Sequence, residues 1–128
     1  MFARMKALLL VFVGGGAGSV LRYVAGRVVP PTFAGQPFPV AILVVNLVAS
    51  AILSLVVGWA LNRSVGEEAR LLIGVGFCGG LSTFSSFSYD TVALLQTGRP
   101  VAALLNISLN VTLCLLASVG GLVLGERI

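Results

Sequence analysis

From Pro39 to Leu61 the chain carries no charged residue, and from Pro100 to Gly125 it again carries none. Each run is about the length a helix needs to cross the hydrocarbon core of a bilayer, roughly 20 residues. A segment in lipid must satisfy its own backbone hydrogen bonds, so such a run is read as a helix. Two further apolar stretches complete the pattern, one from about Met5 to Val29 and one from about Arg70 to Leu95. Only 9% of the residues are charged and 58% are hydrophobic, with a mean hydropathy of +1.09. A soluble domain carries about a quarter charged residues. This chain has too little polar surface to cover a globule, and the expected class is an all-α integral membrane protein with four transmembrane helices.

The segments between the spans are short: "PPTFAGQPFP", "NRSVGEEA" and "TGRP". Proline and glycine mark the first and last as turns. Loops this short make consecutive helices antiparallel, and residues 1–128 read as a single four-span membrane domain. The opening "MFARMKALLLVFVGGGAGS" has the shape of a signal peptide, with Arg4 and Lys6 before an apolar run and then small residues. It is read here as an uncleaved first helix. With the N-terminus inside, that side carries Arg4, Lys6, Arg63, Arg70 and Arg127, against Arg27 and Arg99 outside. The positive-inside rule favours this orientation only weakly, which leaves insertion both ways round open.

The net charge of +4 comes from scattered lysines and arginines, with no basic run for nucleic acid. There is no histidine, no embedded acid pair and no nucleophile beside a base, so the chain is expected not to be an enzyme. Cys78 and Cys114 lie in apolar segments without metal-ligand spacing and read as small buried hydrophobes. Gly14 and Gly18, Gly76 and Gly80, and Gly121 and Gly125 are paired four apart. Small residues at this spacing let helices approach closely in lipid. Packing within the chain accounts for most of them, yet four helices bury little surface of their own, so a homo-oligomer is expected.

Polar side chains inside the spans carry the functional information, because lipid offers them no partner. Asn46 is followed at four-residue steps by Ser50 and Ser54, and Asn106, Asn110, Cys114 and Ser118 step along the last span in the same way. Ser108 and Thr112 fall on a different face. These residues read either as glue between helices or as the lining of a water- or ion-filled path. Arg22 shares a face with Gly15, Gly18, Ser19 and Gly26, as a structural anchor or as a positive charge at the mouth of an anion path.

The stretch "GFCGGLSTFSSFSYD", residues 76–90, is poor material for a continuous helix. Each glycine costs about 1 kcal/mol relative to alanine, and the hydroxyls compete for backbone hydrogen bonds. A break at membrane depth is tolerated where it is buried in protein or lines a cavity. It frees carbonyls that can hold a small cation, and it creates a half-helix N-terminus that favours an anion. Phe84 and Phe87 then share one face, either packed in core or lipid or presenting their positive ring edges to an anion. Asp90, the only acid in or at the end of a span, suits a cap or a vestibule.

The string "GFCGGLSTFSSFS" resembles the signature of the CrcB/Fluc family of fluoride channels. "GAGSVLRY" in the first span, "VVNLVAS" in the second and "LLQTGRP" after the third extend the resemblance over nearly the whole chain. The resemblance implies an antiparallel, dual-topology homodimer in the cell (inner) membrane, with a broken third helix and two pores that export fluoride passively and relieve its toxicity. It implies a structural sodium ion held by the backbone carbonyls of Gly79 and Ser82. It places Asn46, Phe84, Phe87, Ser85 and Ser118 on the fluoride path, and gives Arg22 and Asp90 vestibule or structural roles. In the fourth span, polar family positions fall on Asn110, Cys114 and Ser118. The expected partners are a second copy of the chain, fluoride and membrane lipid, with no nucleic acid. The competing readings are a small dual-topology multidrug transporter, which needs an acid in the first helix where this chain has Arg22, and a non-transporting scaffold.

Overall fold

The computed structural model describes residues 1–63 and 65–128 of the chain. Four helical segments are long and apolar enough to cross a membrane: Phe2–Val28, Val40–Asn62, Glu67–Gln96 and Pro100–Arg127. They are called the first to fourth spans. The third starts earlier than hydropathy indicates, because Glu67 and Glu68 occupy its first turn. There their carboxylates oppose the positive end of the helix dipole, and Glu68 also pairs with Lys6 of the first span.

The connections follow from turn chemistry. Between the first two spans, Thr32–Phe33 and Gln36–Pro37 form a small antiparallel ladder. Ala34 and Gly35 turn it with φ of 50° and 76°, the positive pair that matches the twist of a hairpin. After the third span the N–H of Arg99 reaches the carbonyl of Leu94 and that of Gly98 reaches Leu95. Gly98 makes this reversal possible with φ 74°. Pro100 then opens the fourth span at its first turn, where a missing N–H costs nothing.

The spans pack chiefly as two pairs, first with third and second with fourth. A Cβ on Gly14 or Gly18 would run into the backbone of Leu72 and Phe77, and one on Gly80 into that of Gly15. Likewise a Cβ on Gly58, Gly121 or Gly125 would strike the facing backbone of Leu122, Ala51 or Leu55. The three glycine pairs noted in the sequence are therefore spent on contacts within the chain and are no argument for an oligomer. In both pairings the contacts rise together along the two helices, so each pair runs parallel while consecutive spans alternate. Between the pairs lies a small core of Val45, Ala49, Cys78 and Leu81. Large apolar side chains such as Leu8, Phe12, Val75, Leu115 and Val119 point outward, as they would toward lipid or another chain.

Most of the N-terminal arm of the third span, Arg70–Cys78, is wound as a π-helix. Helical backbone then continues through Gly79, Gly80 and Leu81 and is interrupted at Ser82 and Thr83, whose ψ angles are 154° and 117°. A C-terminal arm resumes over Phe84–Gln96. The two glycines are helical, and the interruption falls on the hydroxyl residues after them.

Candidate functional site

The interruption is held by side chains. Ser82 closes the N-terminal arm, its N–H and its hydroxyl both donating to the Cys78 carbonyl at 3.0 and 2.8 Å. Thr83 opens the C-terminal arm as its N-cap, with Oγ1 accepting the N–H of Ser86 at 3.1 Å. From the second span, Asn46 Oδ1 accepts the N–H of Thr83 at 2.8 Å. Asn46 and Thr83 thus offer the N–H groups of Thr83 and Ser86 an alternative to the helical hydrogen bonds they give up, while the Ser82 hydroxyl doubles the last bond of the N-terminal arm.

Asn46 continues into the fourth span. Its Nδ2 donates to Asn110 Oδ1 at 3.1 Å and, more loosely, to the Thr83 carbonyl at 3.4 Å. Asn110 Nδ2 donates to the carbonyl and the side-chain oxygen of Asn106 at 2.9 and 3.0 Å. Asn106 Nδ2 donates to Thr91 Oγ1 at 2.9 Å, and Thr91 Oγ1 donates to the Phe87 carbonyl at 2.8 Å. Asn46 is therefore glue between helices and, at the same time, part of a cavity wall.

That cavity, about 270 Å³, opens beside the interruption. Asn46, Ser82, Thr83, Phe84 and Phe87 line it on one side, and Ser50, Asn110, Val111 and Cys114 on the other. None of these residues is charged. The rings of Phe84 and Phe87 are tilted by 45° with centroids 5.5 Å apart, so that edges as well as faces border the space. Phe84 is 78% exposed. The cavity also meets the N-terminus of the C-terminal arm. The N–H groups of Phe84 and Ser85 have no acceptor among the described residues, which leaves the positive end of a 13-residue helix open.

The other residues that the sequence singles out divide. Ser85 lies just outside the cavity, its hydroxyl 3.2 Å from that of Thr83. With Asp90 it lines a second cavity of about 480 Å³, bordered by Gly26, Pro39 and Tyr89. Ser118 is half-buried on the inward stripe of the fourth span and does not line the first cavity, where Cys114 is the last member of that stripe. Arg22 is bound at the interruption, its Nε donating to the Gly80 carbonyl at 3.1 Å with the Ser19 hydroxyl 3.5 Å from the same oxygen. Thr83 and Thr91 are both buried, and the sequence alone does not single them out. The hydroxyl-rich run gives no sign of which threonine caps, and the Thr91 contact is tertiary.

At the other side of the interruption are backbone carbonyls. Those of Gly79, Leu81 and Ser82 receive no hydrogen bond among the described residues, whereas those of Cys78 and Gly80 are taken by Ser82 and Arg22. Among the described residues no group of three histidine, cysteine or acidic side chains gathers for a metal. Unpaired carbonyls at a helix C-terminus are the donor type that suits a hard cation. A Cβ added to Gly79 would meet nothing within 4 Å, so this edge is open on the single chain.

Residues 9–122 match the family described as "CrcB-like protein, Camphor Resistance (CrcB)". A protein of Pyrococcus furiosus named "Fluoride-specific ion channel FluC" is 44% identical over 126 residues, covering 96% of this chain and 98% of its own length. One of Methanocaldococcus jannaschii with the same name is 42% identical over 124 residues, covering 97% and 98%. A third, from Shewanella frigidimarina and also so named, is 43% identical over 111 residues, covering 87% and 89%.

Proposed function

The chain belongs to the CrcB-like family, and on that premise we propose that it is a multi-pass membrane protein working as a fluoride-specific ion channel. The observation that carries the reading is the uncharged cavity where Asn46, Phe84 and Phe87 meet the open N-terminus of the C-terminal arm. Fluoride is small and tightly hydrated, so a path for it must replace water without trapping the ion. Neutral donors and ring edges do this: they stabilise an anion by dipole and quadrupole, not by a fixed positive charge. The unpaired N–H groups of Phe84 and Ser85 add the helix-end potential. Arg22 is committed to the Gly80 carbonyl and so stands back from the path.

The finer reading is passive export across the cell (inner) membrane by an antiparallel homodimer in which the broken third span is the central device. Three features support it. The lysines and arginines favour one side only weakly, the apolar outer faces are exposed on the single chain, and the Gly79 edge is open. A sodium ion fits the donor set: the carbonyls of Gly79 and Ser82 would hold it, together with the same pair from a second copy. Bound there, it would neutralise carbonyl dipoles that lipid cannot satisfy. Asp90 and Ser85 line the second cavity and would serve as a vestibule.

Purified protein in fluoride-loaded liposomes tests this. Fluoride should leave rapidly once its charge is compensated by a potassium ionophore, and chloride should stay. Equal rates for the two ions, or no fluoride release, would sink the reading.

A further inference from the structure

Phe87 sits between two buried threonines, Thr83, the N-cap four residues before it, and Thr91, four residues after it on the same helix. Within the helix, Phe87 and Thr91 at that spacing share a face. Both threonines are also held by other spans. The N–H of Thr83 is taken by Asn46 at 2.8 Å, and Thr91 Oγ1 accepts from Asn106 at 2.9 Å. Asn110 joins the two asparagines, through its oxygen to Asn46 and its nitrogen to Asn106. The bonds therefore leave the C-terminal arm at Thr83, cross the second and fourth spans, and return at Thr91. Phe87 lies within that loop. Asn106 is 0% exposed and does not line the cavity.

We propose that Asn106 is a positioning residue for fluoride passage: through Thr91 it fixes the helical turn that carries Phe87, and so the direction of that ring's edge. The inference rests on the channel reading above. The hydroxyl proton of Thr91 is already given to the Phe87 carbonyl, so its lone pairs remain to accept a donor. Among the described residues that donor is Asn106. An apolar side chain would fill the same space but make no directed bond. A role in orientation is thereby separable from a role in packing.

The test compares fluoride efflux from liposomes for Asn106→Leu, Thr91→Val, their double variant and Thr91→Ser, with thermal midpoint and elution position recorded for each. Thr91→Val keeps the shape and loses the hydroxyl, whereas Thr91→Ser keeps the hydroxyl. Asn106→Leu and Thr91→Val should each slow efflux by about tenfold, and the double variant should be no slower than the worse single, since Asn106→Leu, which also loses the bond from Asn110, already removes the contact that Thr91→Val breaks. Thr91→Ser should conduct at close to the wild-type rate. Losses that multiply in the double variant would overturn the proposal. So would wild-type flux in Thr91→Val, or flux in Thr91→Ser as low as in Thr91→Val. If Asn106→Leu does not assemble, the valine and serine variants at Thr91 decide alone. A wild-type chain that passes no fluoride removes the channel reading and this inference together, whereas normal wild-type flux with any of the overturning results removes only the inference.

Discussion

The side-chain oxygen of Asn46 accepts the backbone N–H of Thr83 at 2.8 Å. That single bond settles which way the amide faces, because only the oxygen can accept. The nitrogen must then point to Asn110 Oδ1, 3.1 Å away, and to the Thr83 carbonyl. One side chain of the second span thus fixes the start of the C-terminal arm and holds Asn110, the second amide of the fourth span's polar stripe.

Asn46→Asp should therefore suppress fluoride flux. The carboxylate keeps the bond from Thr83 but turns a second acceptor toward two oxygens. Where ionised, it also repels the anion. An unsatisfied buried polar group costs about 1–3 kcal/mol, so a lower thermal midpoint in detergent should accompany the loss. Unchanged efflux would confine Asn46 to holding helices together.

Thr83→Ala removes the N-cap of the C-terminal arm and should destabilise the protein by about 1 kcal/mol. Thr83→Ser should restore most of that, since the capping oxygen returns. Thermal unfolding of the two purified variants checks it, and equal midpoints for alanine and serine would count against the cap.

Phe84→Ile and Phe87→Ile keep hydrophobic bulk and remove the positive ring edge. Both should lower fluoride efflux strongly while assembly persists. The loss should be greater for Phe84, which adjoins the interruption. Normal flux in both variants would return the rings to a packing role.

Gly79 and Gly80 are adjacent, both helical, and differ in what a methyl group would meet. A Cβ on Gly80 would enter the backbone of Gly15, whereas one on Gly79 finds nothing within 4 Å. Gly80→Ala should reduce the folded yield. Gly79→Ala should spare the fold of the chain and weaken association between copies, if the open carbonyl edge is where they meet. Cross-linking in membranes reads this directly. A Gly79→Ala protein that cross-links like the wild type would move the interface elsewhere.

Much of this arrangement is legible in the sequence. The uncharged runs mark the spans, because lipid leaves so few solutions for an apolar segment. Asn46, Phe84 and Phe87 stand out as residues that a plain spanning helix has no use for, and the cavity gathers all three. Other features depend on distance in space. By spacing alone the glycine pairs are available for oligomer contacts, but Gly14 and Gly18 face the third span of their own chain. Poor helix propensity marks the whole glycine- and hydroxyl-rich run as the place of the interruption without choosing a residue within it. It falls at Ser82 and Thr83, where the Asn46 and Thr83 side chains take the N–H groups of Thr83 and Ser86 in place of backbone carbonyls, and propensity says nothing about Asn46 reaching across from another span. In the sequence Asn106 is one of a stripe of four, and its distinction lies in Thr91, fifteen residues earlier in the chain.

The asparagine chain has one further consequence, which concerns protons. Hydroxyls and waters in a row can pass a proton along by exchanging donor and acceptor roles. A carboxamide does not, since its nitrogen has no lone pair free to accept and its oxygen no proton to give. In the wall beside Phe87, two amides, Asn110 and Asn106, stand between the Asn46 end and the Thr91 hydroxyl. They interrupt any relay of hydrogen ions along this chain of bonds while leaving it polar. Hydrogen ions are therefore not relayed from Asn46 to Thr91 along this chain of side chains.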